Sequence, residues 1–158
     1  MTNLCCEILA ALKSRTLSTA ESCTGGMIGA ALTAIPGSSK VYKGGIISYT
    51  NEIKSRMLDV PAELLSREGA VSGLVAQEMA RGARKALGTD FAVSVTGLAG
   101  PGGDEFGNPV GTVYIGYADS ECVDSCEYHF NGSREEVRLQ AAKAALNLLY
   151  ARLVNGKD

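Results

Sequence analysis

One histidine, His129, and no tryptophan occur in the 158 residues of this chain. With a single imidazole, zinc centres built on histidine drop out, and any Ser-His-Asp hydrolase would depend on His129 alone. His129 stands in the strand-like run Glu127-Tyr128-His129-Phe130 and reads as structural, so an enzyme of this sequence needs another base. Basic charge is not in surplus either. Fifteen Lys and Arg against 17 Asp and Glu, a formal net charge of -2, are spread along the chain and form no cationic stripe for phosphates, so nucleic acid is not an expected partner. No apolar run approaches the ~20 residues that cross a bilayer, which excludes a membrane partner of that kind. Five cysteines (Cys5, Cys6, Cys23, Cys122, Cys126) are an odd number without paired metal-ligand spacing, and no secretory signal precedes them. The expectation is a soluble cytoplasmic protein without metal or cofactor.

What is present is globular. A content of 46% hydrophobic and 20% charged residues in 158 positions fits one ordinary domain over 1–158, with no repeat or linker. Leu4, Ile8, Leu9 and Leu12 predict a helix over 3–13, followed by a strand over 17–20 and a small-residue helix over 25–35 that Pro36-Gly37 ends. A strand is expected over 45–50 (GIISYT), then a short helix capped by Asn51, a break at Val60-Pro61, and more helix over 62–67. Ser72 caps a helix whose Val75, Met79, Ala83 and Leu87 share a face that Gly88 terminates. Strands over 91–95, 110–118 and 124–130 follow, the last two as a hairpin. Ser133 and Glu136 then open a final helix, with Val137, Ala141, Ala145 and Leu148 inward. This alternation predicts an α/β fold, a three-layer α/β/α arrangement around a mixed sheet.

Glycine is abundant, and it is concentrated. Of 19 glycines, six lie between Ser22 and Gly45 and six between Gly97 and Gly111, each cluster next to an expected strand end. Ligands of α/β sheets bind beyond the carboxyl ends of strands, where glycine lets backbone approach closely, so both clusters are expected to border one pocket. The first, Ala20-Glu21-Ser22-Cys23-Thr24-Gly25-Gly26, sets hydroxyls and a thiol at a strand-to-helix turn. That geometry suits a nucleophile with an oxyanion hole, an anion cradle, or a glycine turn that only caps a helix. It is neither a Walker A loop nor a nucleophile elbow. The second, Thr96 to Asp104, reads as a lid or a binding loop.

AESCTGG (20–26), GSS with a following GG (37–39, 44–45), SYTNEIK (48–54), GAVS (69–72), TGLAGPGG (96–103), PVGTVY (109–114) and Arg134 stand in this order. Together, from about Leu17 to Leu148, they resemble the CinA C-terminal domain family, which includes stand-alone nicotinamide-nucleotide amidohydrolases. Nothing resembles the amino-terminal domain of the longer CinA proteins. The resemblance implies a metal-independent serine amidohydrolase with a lysine base. Its reaction converts the carboxamide of nicotinamide mononucleotide to nicotinate mononucleotide and ammonia. It also leaves room for a nucleotide-binding regulatory module linked to competence or DNA damage, or for an amidase of another substrate.

By that resemblance Ser22 is the nucleophile, with Cys23 as its rival, and Lys54 the base. Tyr49 is a residue that orients serine or lysine or relays a proton, and Arg134 is the partner of a substrate phosphate, with Arg138 one turn on. Strand alternation would put Tyr49 on the pocket side, away from Ser48 and Thr50. A lysine acts as base only when neutral, and burial near a helix N-terminus lowers its pKa. The N–H groups of Thr24, Gly25 and Gly26 are candidate oxyanion donors, with Thr96 and Gly97 on the opposite wall. Glu21 is a structural carboxylate that could pair with Lys54. The expected partner is a small nucleotide substrate, and an exposed sheet edge favours a homo-oligomer.

Overall fold

The computed structural model describes residues 1–155. Its elements are α1 (Thr2–Leu12), β1 (Leu17–Glu21), α2 (Met27–Thr33), β2 (Tyr42–Ile47), α3 (Asn51–Leu58), α4 (Ala62–Glu68), α5 (Gly73–Leu87), β3 (Phe91–Gly97), β4 (Thr112–Ala118), β5 (Val123–His129) and α6 (Arg134–Asn155). The five strands form one sheet in the order β2-β1-β3-β4-β5. Strand β1 runs parallel to β2 and β3, and β4 and β5 continue antiparallel as the expected hairpin. The sheet is therefore mixed and the fold α/β.

Both sheet faces are covered because the central strands are apolar on both sides. Leu17 of β1 and Val93 and Val95 of β3 join Cys5, Ile8 and Leu12 of α1 and Val137, Ala141 and Leu149 of α6 in one core. Ala20 and Ala92, on the opposite faces of the same strands, pack with Leu58, Val75, Met79 and Ala83 of α3 and α5 in the other. Crossover α2 covers the first face and α3–α5 the second. The two connections part at the carboxyl end of β1 and open a crevice there. Among the described residues no helix is long and apolar enough to cross a membrane.

The observed elements depart from the pattern at a few points. Strand β2 covers 42–47 instead of 45–50, because Lys43 bulges out where Leu17 pairs with Tyr42 and Ser18 already with Gly44. Past the bulge, Gly44 and Gly45 pair regularly with Ser18 and Thr19. Thr50, not Asn51, caps α3, its hydroxyl accepting from the Ile53 N–H at 3.3 Å. Helix α2 is shorter than 25–35, since residues 23–26 are turn. In α6, steps of four from Val137 through Ala141 and Ala145 reach Leu149, which is buried while Leu148 is half-exposed.

The layers meet most closely where α5 lies on β4. A Cβ on Gly116 would collide with the Ala76 carbonyl of α5 and with the Ser94 hydroxyl, which itself donates to that carbonyl at 2.5 Å. Gly116→Ala should therefore cost about 2 kcal/mol and lower the thermal midpoint by roughly 5 °C, measured by calorimetry.

Candidate active site

Beyond the carboxyl ends of β1, β2 and β3 lies a pocket of about 310 Å³. Ser22 and Cys23 follow β1, Tyr49 and Lys54 come from the β2–α3 connection and α3, Thr96 and Gly97 end β3, and Arg134 opens α6; all line it. Of the two glycine clusters only the second brings its glycines here, with Gly97, Gly100 and Gly102 in the wall. From the first only Ser22 and Cys23 reach it, and Gly26, Gly29 and Gly45 border a separate cavity, so the expectation of one shared pocket is corrected.

The turn after β1 is set by Glu21. Its carboxylate is buried and accepts from the N–H groups of Gly26 (3.0 Å), Ile28 (3.1 Å) and Gly29 (2.9 Å), satisfying the first amides of α2. The expected pairing with Lys54 is not formed. This arrangement also corrects the donor assignment, since the Gly26 N–H is held by Glu21 and the Gly25 N–H donates to the Ser22 carbonyl at 3.0 Å. Among the described residues, the amides of Cys23 and Thr24 are the ones in this turn that make no intrachain hydrogen bond. The Thr24 hydroxyl is buried without a partner.

Lys54 reaches into the pocket floor from the first turns of α3 and is 1% exposed. Its Nζ lies 2.7 Å from the Ser48 carbonyl and 3.1 Å from Ser22 Oγ, while Ser22 itself is 8% exposed. Burial lowers the lysine to about 8. When neutral, the amine donates one proton to the Ser48 carbonyl, which leaves its lone pair free to accept from the Ser22 hydroxyl. Cys23 is pushed the other way: burial raises its thiol to about 11, so it stays protonated at neutral pH. A hydroxyl beside a buried amine of low pKa is the arrangement that activates an oxygen nucleophile.

Tyr49 lies past the end of β2 and is 60% exposed, so strand alternation does not set its direction. Its hydroxyl accepts from Arg134 Nη2 at 3.0 Å, and Arg134 Nη1 donates to the Gly100 carbonyl at 2.5 Å. Tyr49 therefore meets the arginine rather than Ser22 or Lys54. Arg138 makes no ion pair among the described residues. It donates to the carbonyls of Cys23 (2.9 Å) and Thr24 (3.3 Å) and clamps the turn from behind. The Thr96 hydroxyl donates to the Ala70 carbonyl at 2.7 Å, tying β3 to the segment before α5. His129 pairs with Glu127 at 2.8 Å on edge strand β5, away from the pocket. Sequence reasoning missed Asn51, Ala70 and Val71 as pocket lining, although each falls within SYTNEIK or GAVS.

The profile of the CinA C-terminal domain matches residues 2–153. The chain belongs to this family. A CinA-like protein of Geotalea uraniireducens is 49% identical over 140 residues, covering 89% of this chain and 33% of that protein. A CinA-like protein of Trichodesmium erythraeum is 49% identical over 146 residues, covering 90% and 34%. This CinA domain thus spans about a third of the length of those relatives. Among solved structures, the competence/damage inducible protein CihA of Agrobacterium tumefaciens is 42% identical with a TM-score of 0.91, over 95% of this chain and 93% of its own. A competence-damaged protein (CinA) superfamily protein of Klebsiella pneumoniae is 35% identical with a TM-score of 0.94, over 98% of each chain.

The three amides on Glu21 make a stability test. An amide side chain offers one acceptor oxygen and turns N–H toward N–H at its other end. Glu21→Gln should lose about 2 kcal/mol in urea unfolding, and Glu21→Ala more.

Proposed function

We propose that this CinA domain is a serine amidohydrolase that converts nicotinamide mononucleotide and water to nicotinate mononucleotide and ammonia. The observation that carries the reading is the buried Lys54 amine 3.1 Å from Ser22 Oγ in a pocket, with burial lowering its pKa to about 8. The substrate comes from the family resemblance in AESCTGG, SYTNEIK and TGLAGPGG.

The chemistry follows from the groups present. Neutral Lys54 takes the Ser22 proton as Oγ attacks the carboxamide carbon, and the tetrahedral oxyanion faces the amides of Cys23 and Thr24. The lysine ammonium then returns the proton to the departing nitrogen, which leaves as ammonia, with an acyl ester on Ser22. Water, deprotonated by the same amine, cleaves the ester to a carboxylate and restores the hydroxyl. Ser48 holds the amine in register through its carbonyl and needs no side-chain chemistry for that. Arg134, free of ion pairs among the described residues, supplies a guanidinium for the 5′-phosphate, with Tyr49 bracing it.

The protein should release ammonia from nicotinamide mononucleotide with chelator present. Ser22→Ala should lower kcat by at least about a thousandfold with the fold intact by circular dichroism. Binding of the mononucleotide without ammonia release by the unaltered protein would sink the reading.

The pH dependence follows from the sign of the lysine shift. The competent form is the neutral amine, so kcat/KM should fall about tenfold per pH unit below about 8 and level off above it. Lys54→Met should abolish that acid limb and cost about 10³-fold, whereas a flat profile in the unaltered protein from about pH 6 to 9 would exclude this base.

A further inference from the structure

The pocket does not end at the nucleophile. A second cavity, of about 390 Å³, shares Asn51, Ala70, Val71 and Leu98 with it. Its remaining wall is Asp104, Glu105 and Phe106, from the loop between β3 and β4. The two cavities are therefore compartments of one cleft, joined along four common residues.

That loop is built to hold its aromatic ring in place. The Asp104 carboxylate accepts from the N–H groups of Phe106 (3.0 Å) and Asn108 (2.9 Å) and from Asn108 Nδ2 (2.8 Å). The same amide nitrogen donates to the Val71 carbonyl at 3.2 Å, so the loop is fastened across the cleft to the segment before α5. The Phe106 ring rests on Gly69, where a Cβ would lie 2.6 Å from it and where φ of 77° already favours glycine. Packed on one side, the ring is still 43% exposed. Glu105 beside it is exposed and makes no ion pair among the described residues.

The cleft is thus electrically polar along its length. Arg134, at Gly100 and Tyr49, gives one end a positive charge, and Asp104 and Glu105 give the other end two negative charges around an aromatic face. A ligand matched to it carries an anionic group at one end and a cationic, planar group at the other. Aromatic faces and carboxylates attract such a cation together, whereas either disfavours a second anion there.

Resting on the function proposed above, we propose that the Phe106–Glu105 compartment recognises the positively charged pyridinium ring of the substrate, with Phe106 and Glu105 as specificity-determining residues. The compartment selects pyridinium amides over neutral aromatic amides of the same shape. Ser22, Lys54 and the amides of the turn then act on whichever carboxamide this selection presents.

The test uses the intact protein and two small probes, the 1-methylnicotinamide cation and neutral nicotinamide, titrated by NMR. The cation should bind about fivefold more tightly, and Phe106→Leu or Glu105→Gln should each reduce that ratio toward one. Phe106→Trp, which keeps a ring, should preserve it. A merely structural Phe106 would weaken both probes alike and leave the ratio unchanged in Phe106→Leu, and that result overturns the proposal, as does equal binding of the two probes by the unaltered protein. With nicotinamide mononucleotide as substrate, Phe106→Leu should raise KM about fivefold and leave kcat within twofold. Absence of ammonia release would refute the proposed reaction, while the binding ratio would still decide the compartment.

Discussion

A buried carboxylate without a basic partner is costly unless hydrogen-bond donors surround it, and Glu21 meets that demand with three backbone amides at the start of α2. The rest of the site depends on this solution. Because those amides are taken, α2 begins at Met27 and residues 23–26 are left as a turn directly after Ser22, whose own N–H still bonds the Val95 carbonyl of β3 at 2.9 Å. Arg138 closes the turn from the far side through two carbonyls, so a carboxylate on β1 and a guanidinium on α6 grip the same few residues. Neither needs to touch a substrate to decide where the hydroxyl points.

Lys54 obeys the same rule with opposite charge. Water is excluded from it, so the neutral form is favoured, and the Ser48 carbonyl uses one of its protons. Ser48 is itself tied to β1, its N–H donating to the Glu21 carbonyl at 2.8 Å. Nucleophile and amine are thus positioned from adjacent parallel strands through one short chain of backbone contacts. Their distance is held by the Ser48 carbonyl just after β2, which anchors the Lys54 side chain reaching in from α3.

The layer order, the mixed sheet and most elements were legible because apolar periodicity and caps such as Ser72 and Gly88 are local signals. The Ser22 and Lys54 positions were legible from the motifs they sit in. What the chain did not reveal locally depended on distant partners. Lys43 bulges because of its pairing with β1, and Glu21 looked available to Lys54 until the amides of α2 were seen to surround it. Tyr49 was assigned a direction from a strand that stops two residues earlier. Gly25 and Gly26 looked like free donors because glycine marks an accessible backbone without saying whose amide is already occupied.

The antiparallel placement of β4 beside β3 fixes where their connection lies. Antiparallel neighbours are joined at a shared end, and for β3 that end is the one bearing the pocket. Residues 98–111 consequently pass beside the pocket, and their attachment to the sheet and core is made at the two ends, through Leu98 and Ala99 on one side and Pro109 and Gly111 on the other, Leu98 and Gly111 hydrogen-bonding to each other at 2.7 Å. Residues 100–108 make no hydrogen bond to a strand among the described residues, so this stretch can change in composition without altering a strand register. Substrate range and scaffold stability are therefore encoded in separable stretches of this chain, and new ligand preferences can arise in one while the other is left untouched.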